Sequence, residues 1–196
     1  MKAILEQKPL LQPLTACVAC GGTSFEGRLD LGNQYLPRFV STPSENVPKA
    51  PLVLRRCAVC GLAQLEAVVN RDALFREYWY RSAISPTMVR HLEAMAQEYA
   101  RDLPVRAVVV DIGANDGTLL GAMKRLVPNI TTVGFEPAYN IPPTPDCKVD
   151  YWVRDYFSAK ACQQLTLPTA DLVFSIAMFY DLLNPLQFAE DVKNIL

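Results

Sequence analysis

The chain has 196 residues, 51% of them hydrophobic, with 19 basic and 20 acidic side chains and a formal charge of −1. That length allows one medium domain or two small ones, and the apolar content is enough for a core. No long basic or acidic run is present, which argues against a polyanion partner.

Met1 to Lys8 places charges where a signal peptide needs an apolar core, so no secretory leader is expected. The longest mostly apolar stretch, Leu172 to Leu183, carries Asp181 and is too short to span a bilayer. A cytoplasmic protein with no membrane partner is expected. A composition shift near residue 75 predicts a domain boundary, with a 1–75 module, a linker and helix over 76–104, and a second domain over 105–196.

The first module contains Cys17-Val-Ala-Cys20 and Cys57-Ala-Val-Cys60, separated by 36 residues. Two such pairs can supply four thiolates in a tetrahedron, the preference of structural Zn²⁺. Gly21 and Gly61 follow the pairs and let each turn curl so that backbone N–H groups face the sulfurs. Iron or a redox disulfide is the lesser alternative. Four cysteines leave no open coordination position, so the metal is expected to be structural. Short strands are predicted over Ser24–Leu31 and Leu52–Cys57, and the proline-rich loop Ser41–Pro51 is expected to be neither helix nor central strand. Cys147 and Cys162 read as small buried hydrophobes.

A helix is predicted over 86–101, with Ser85 as N-cap, Pro86 in the first turn, and Met88, Leu92, Met95 and Tyr99 on one face. From Val105 the pattern becomes β-α-β. The apolar run Val105–Val110 predicts a strand buried on both faces. A helix over Thr118–Leu126, a strand over Ile130–Phe135, a weaker strand over Cys147–Trp152, a helix over Ser158–Leu165 and a buried strand over Asp171–Ile176 follow. Pro185 opens a helix expected to run on to Leu196. Strands alternating with helices predict an α/β fold with a parallel, doubly wound, Rossmann-like sheet.

Asp111-Ile-Gly113-Ala-Asn115-Asp116-Gly117 lies between a predicted strand and a predicted helix. Its G-x-x-x-G spacing differs from a dinucleotide fingerprint. Asp111, Asn115 and a helix N-terminus suit a zwitterionic amino-acid ligand better than a pyrophosphate. Glu136 ends the next strand, where an acid accepts hydrogen bonds from ribose hydroxyls, and Asp155 and Tyr156 follow the third strand, placed to bracket an adenine. The series predicts the S-adenosylmethionine loop of a class I methyltransferase, with Asp116, Gly113 and Gly117 in the same set. Solvated strand-end acids are the alternative for Glu136 and Asp155.

The cysteine pairs, Tyr78-Trp-Tyr80-Arg-Ser82-Ala-Ile-Ser85, His91, the run Asp111–Leu120, Gly134-Phe-Glu-Pro137 and Phe179-Tyr180-Asp181-Leu182 together resemble the zinc-containing sugar C-methyltransferases of deoxysugar biosynthesis. The resemblance implies methyl transfer from S-adenosylmethionine to a ring carbon of a nucleotide-linked 4-keto-deoxysugar. It implies that Tyr80, or Tyr78, meets the sugar ketone; aromatic packing is the alternative for both. It places the family's base, a histidine, in a C-terminal part beyond Leu196, while His91 reads as a structural or surface residue. The chain therefore reads as the N-terminal portion of such an enzyme, with an incomplete sheet and doubtful turnover by itself. A zinc-ribbon RNA methyltransferase is the rival, disfavoured because residues 1–75 hold only eight Lys or Arg against six Asp or Glu. A non-catalytic fragment that binds zinc and cofactor is a further alternative. Without a further strand beside Asp171–Ile176, the apolar run Leu172–Met178 is expected to form an exposed sheet edge that promotes self-association.

Overall fold

The structure is a computed structural model and describes residues 9–37, 40, 42 and 46–196. The leader reading at Met1–Lys8 and part of the 41–51 loop lie outside the described residues. The chain divides into two compact units, Met1–Trp79 and Tyr80–Leu196.

In the first unit, β1 (Leu11–Pro13) is followed by a long β2 (Phe25–Tyr35), β3 (Lys49–Cys57), and the short strands β4 (Ala63–Leu65) and β5 (Ala67–Val69). Strands β2, β3 and β4 form an antiparallel sheet in that order, while β1 pairs antiparallel with β5. The register of β2 on β3 shifts twice, between Glu26 and Arg28 and between Asp30 and Asn33. Gly27 and Gly32 adopt φ of 61° and 71° at these irregularities, a conformation that glycine enters without steric cost. One expectation is corrected here. Pro51 lies inside β3, the middle strand of its sheet. Proline is tolerated because β4 reaches only Leu54–Arg56, so at Pro51 the strand pairs with β2 alone. A short helix α1 (Arg71–Phe75), capped by the Asn70 side chain, follows β5.

The second unit opens with a 3₁₀ turn, Ser82–Ile84, and helix α2 (Pro86–Tyr99). The Ser85 hydroxyl accepts the Met88 N–H, the expected N-cap. The helix gives way to a 3₁₀ turn at Ala100–Asp102. Then come β6 (Val108–Ile112), α3 (Thr118–Leu126), β7 (Thr131–Phe135), β8 (Tyr151–Val153), α4 (Ala159–Gln163), β9 (Leu172–Ser175) and α5 (Pro185–Lys193). The four strands are parallel in the order β8-β7-β6-β9.

The first strand of this sheet starts three residues later than the apolar run suggests. Ala107 N–H closes a turn onto the Pro104 carbonyl at 3.1 Å, which leaves Val105 67% exposed. The last helix also ends early, at Lys193. The Ile195 carbonyl accepts the Ala170 N–H at 2.6 Å, and the Ile195 side chain is buried against β6 and β7. That tertiary contact ends the helix that Pro185 opens.

Strand β6 distributes its side chains to two cores. Val109 joins Leu92, Ala96, Leu119, Leu120 and Met123 beneath α2 and α3. Val108, Val110 and Ile112 join Val133, Phe135 and Ala159, with Phe188 and Val192 of α5 packed alongside. Fully burying such a side chain contributes about 1.5–3 kcal/mol. The sheet is thus covered on both faces, which leaves the loops at its carboxyl edge free to form a site. Among the described residues no helix is long and apolar enough to cross a membrane.

Candidate functional site

Each unit carries its own constellation. In the first, the two cysteine pairs fold into matching turns. Cys17 N–H donates to the Gly22 carbonyl at 2.8 Å and Gly21 N–H to the Cys17 carbonyl at 2.9 Å. Cys57 N–H donates to the Leu62 carbonyl at 2.8 Å and Gly61 N–H to the Cys57 carbonyl at 2.9 Å. Gly21 and Gly61 hold φ of 72° and 81°, so each turn uses the freedom of glycine in the same way.

These turns bring the four sulfurs together. Cys17 and Cys60 stand 3.6 Å apart, as do Cys20 and Cys57, and all four lie within 4.8 Å of one another. A tetrahedron with Zn–S bonds of about 2.3 Å has edges of about 3.8 Å, so the donor set fits zinc. The Cys60 backbone N–H draws the Cys57 thiol down to about 6. At Cys20 the Gly22 N–H favours the thiolate, but the Cys60 and Cys57 sulfurs push the group up to about 12. Four thiolates cannot share so small a volume without a dication to neutralise them.

Gln64, a residue the motif reading passed over, fastens one turn to the sheet. Its side chain accepts the Val18 N–H at 3.0 Å and donates to the Ala16 carbonyl at 3.2 Å. It is 7% exposed on β4, and a polar residue in an otherwise apolar segment after the second cysteine pair was the available signal. Tyr78 also belongs to this unit, with its ring 6.0 Å from that of Phe75 and 5.7 Å from that of Trp79.

In the second unit the loop after β6 is drawn under the end of β7. Gly113 and Ala114 donate their N–H groups to the Phe135 carbonyl at 2.9 and 3.0 Å. Glu136 then clamps the loop. One carboxylate oxygen accepts the Asn115 N–H and the other the Ala138 N–H, both at 2.8 Å. Gly113, Asn115 and Gly117 all hold positive φ, at 77°, 52° and 77°. Gly117 is the N-cap of α3 and supplies no side-chain cap, while Asp116 Oδ1 accepts the N–H of Thr118, the first helical residue, at 3.3 Å.

The electrostatics of this edge are unusual. Asp111 is 4% exposed and its carboxyl accepts no hydrogen bond among the described residues. Burial, with the nearby Glu136 charge, pushes it up to about 7. Burial also raises Glu136, against the pull of the Ala138 and Asn115 N–H groups. Glu136 is therefore not a solvated strand-end acid; it is 6% exposed. Two buried carboxyls side by side attract a cation and hydroxyl donors.

Asp111, Gly113, Asn115, Asp116, Gly117 and Glu136 come together at the carboxyl ends of β6 and β7. Asp155, exposed, and Tyr156, half-buried, follow the end of the outer strand β8, and the Asp155 carboxylate accepts the Tyr156 N–H at 2.9 Å. Tyr80 reaches the loop through its backbone: its carbonyl accepts from the Asn115 side-chain amide at 2.9 Å. Met178, after β9, also borders the loop, with its Cγ 3.5 Å from where a Gly113 Cβ would stand.

Comparison with known proteins bears on the first unit. The family model Methyltransf_13, described as "Putative zinc binding domain", matches residues 17–75. Those limits enclose all four cysteines, and the first unit is a tetrathiolate zinc-binding module. No curated protein matches the chain. Among solved structures, the chain is similar to CalO1, a methyltransferase in calicheamicin biosynthesis in its SAH-bound form. The identity is 20% and the TM-score 0.33, over 44% of this chain and 25% of that one. The matched part thus spans a quarter of the CalO1 chain, and a likeness of that extent defines no function.

Proposed function

We propose that the chain is the zinc- and cofactor-binding portion of an S-adenosylmethionine-dependent C-methyltransferase acting on a nucleotide-linked 4-keto-deoxysugar in the cytoplasm. The observation that carries the reading is Asp111, a buried carboxyl that accepts no hydrogen bond among the described residues, beside Glu136 at the mouth of a glycine-bordered loop. A cation with adjacent hydroxyls satisfies both acids, and S-adenosylmethionine offers an ammonium, a sulfonium and a ribose.

In this reading Asp111 holds the ammonium and the N-terminus of α3 meets the carboxylate. Gly113 and Gly117 let the backbone approach, Glu136 accepts the ribose hydroxyls, and Asp155 and Tyr156 bracket the adenine. The bound cofactor supplies an electrophilic methyl group. The Tyr80 phenol hydrogen-bonds the sugar ketone and would stabilise the negative charge that an enolate carries on that oxygen. The zinc module serves architecture, since four thiolates leave the metal no open position.

Calorimetric titration with S-adenosylmethionine tests this. Glu136→Ala should weaken binding about 10- to 100-fold, the loss expected for charge-assisted contacts. Unchanged affinity would reduce Glu136 to a brace for the loop.

A further inference from the structure

Two loop residues do something other than face a ligand. The Asn115 side chain spans the backbone of the Tyr80 segment. Its carbonyl oxygen accepts the Ser82 N–H at 2.8 Å, and its amide donates to the Tyr80 carbonyl at 2.9 Å. Asp116 continues the contact, with Oδ2 accepting the Ala83 N–H at 2.8 Å. Its other oxygen accepts the Thr118 hydroxyl at 2.6 Å, and the residue is 0% exposed. Three polar groups of the Tyr80–Ala83 backbone, the Tyr80 carbonyl and the Ser82 and Ala83 N–H groups, are thus satisfied by adjacent side chains of one loop.

That loop cannot move independently of the sheet. Asn115 N–H is held by Glu136, and the Asp116 carbonyl accepts the Thr144 N–H at 2.9 Å. Asn115 also holds a φ of 52°, a strained conformation for most residues but accessible to asparagine. The side-chain amide matches a backbone donor–acceptor pair, as a neighbouring strand would.

We propose that Asn115 and Asp116 are positioning residues: they fix Tyr80 to the rim of the cofactor loop and are not themselves cofactor ligands. The importance of Tyr80 rests on the function proposed above, whereas the docking of its segment is read from these bonds. A consequence is that the cofactor loop and the substrate-side tyrosine form one unit. Displacing either by a fraction of an ångström displaces the other, and alignment of reacting groups is sensitive to such shifts.

The test uses Asn115→Gly in the full chain. Glycine accepts the positive φ, so the loop keeps its path while both side-chain bonds are lost. Asn115→Asp serves as the partial rescue, since it retains the acceptor for Ser82 N–H. Amide hydrogen exchange at Ser82 and Ala83, ring signals of ¹³C-labelled tyrosine, and calorimetry with S-adenosylhomocysteine are read together. In Asn115→Gly the Ser82 amide should exchange at least about tenfold faster, and the Tyr80 ring signals should shift. Asn115→Asp should recover part of the Ser82 protection and move the ring signals back. Any loss of S-adenosylhomocysteine affinity in either variant should be smaller than that of Glu136→Ala. A fall in affinity for Asn115→Gly as large as that for Glu136→Ala overturns the proposal, as do unchanged exchange and ring signals. If the parent chain itself does not bind S-adenosylhomocysteine, the cofactor reading fails, and the exchange and ring data still decide whether Asn115 positions Tyr80.

Discussion

The indole of Trp152 lies so close to Gly134 that a Cβ on Gly134 would stand 2.6 Å from ring atoms Cε3 and Cζ3. Gly134 is the fourth of the five residues of β7, and Trp152 is its partner across the sheet in β8. The same ring approaches Gly117, where a Cβ would lie 3.5 Å from Cζ3. One side chain therefore spans from the sheet to the start of α3. Gly134→Ala should destabilise the second unit by about 1–3 kcal/mol through overpacking. Urea unfolding followed by tryptophan fluorescence measures this, and a change below about 0.5 kcal/mol would show that the indole moves aside freely.

Asp111 makes stability depend on pH. Its folded value, about 7, exceeds the ordinary value of 3.8, so the folded chain binds this proton more tightly than the unfolded chain does. The contribution is complete below the unfolded value and is lost as pH rises through the folded one. Without ligand, stability should therefore fall between about pH 4 and pH 7, by on the order of a few kcal/mol from this group. Asp111→Asn should remove that part of the slope. Unfolding free energies of parent and variant across this range give the comparison, and parallel curves would refute the assignment. A bound cation should reverse the trend, because it favours the carboxylate.

The purified protein should carry about one zinc per chain, held by Cys17, Cys20, Cys57 and Cys60. Cys57→Ser should lose the metal and loosen the first unit, detected as faster amide exchange in β3 and β4. Elemental analysis showing no metal in a chain whose first unit remains protected would defeat the zinc assignment.

Strand β9 pairs only with β6 among the described residues. Its other edge carries backbone groups able to pair with a second copy. The 196-residue chain should therefore associate with rising concentration in light scattering. A stable monomer at high concentration would mean that this edge is covered.

The cysteine pairs were legible because metal geometry is written in spacing and in the glycines that follow. The parallel sheet was legible from its β-α-β alternation, and the helix that Pro86 opens from the spacing of Met88, Leu92, Met95 and Tyr99 along one face. The misreadings lie where a distant contact decides the outcome. Val105 belongs to an apolar run, but the turn at Pro104 excludes it from the strand. The last helix stops because Ile195 turns back to Ala170, 25 residues earlier in the chain. Pro51 enters a middle strand because β4 is too short to reach it. Asn115 and Asp116 were recognisable as loop residues, but nothing in their spacing indicated that they would hold the backbone of Ser82 and Ala83.

The matching turns around the cysteines also bear on how this module can change over generations. Everything the metal needs from the backbone is contained within a few residues on either side of it, at Cys17–Gly22 and at Cys57–Leu62. Among the described residues, the ribbon of β2 and β3 between them meets the cysteine turns at its end, where Phe25 pairs with Cys57. Beyond that point β2 is almost wholly exposed. Doubling the length of a closed loop costs only about 0.6 kcal/mol. The ribbon can therefore lengthen, shorten or acquire new surface residues by insertion while the metal continues to close the module at the same place.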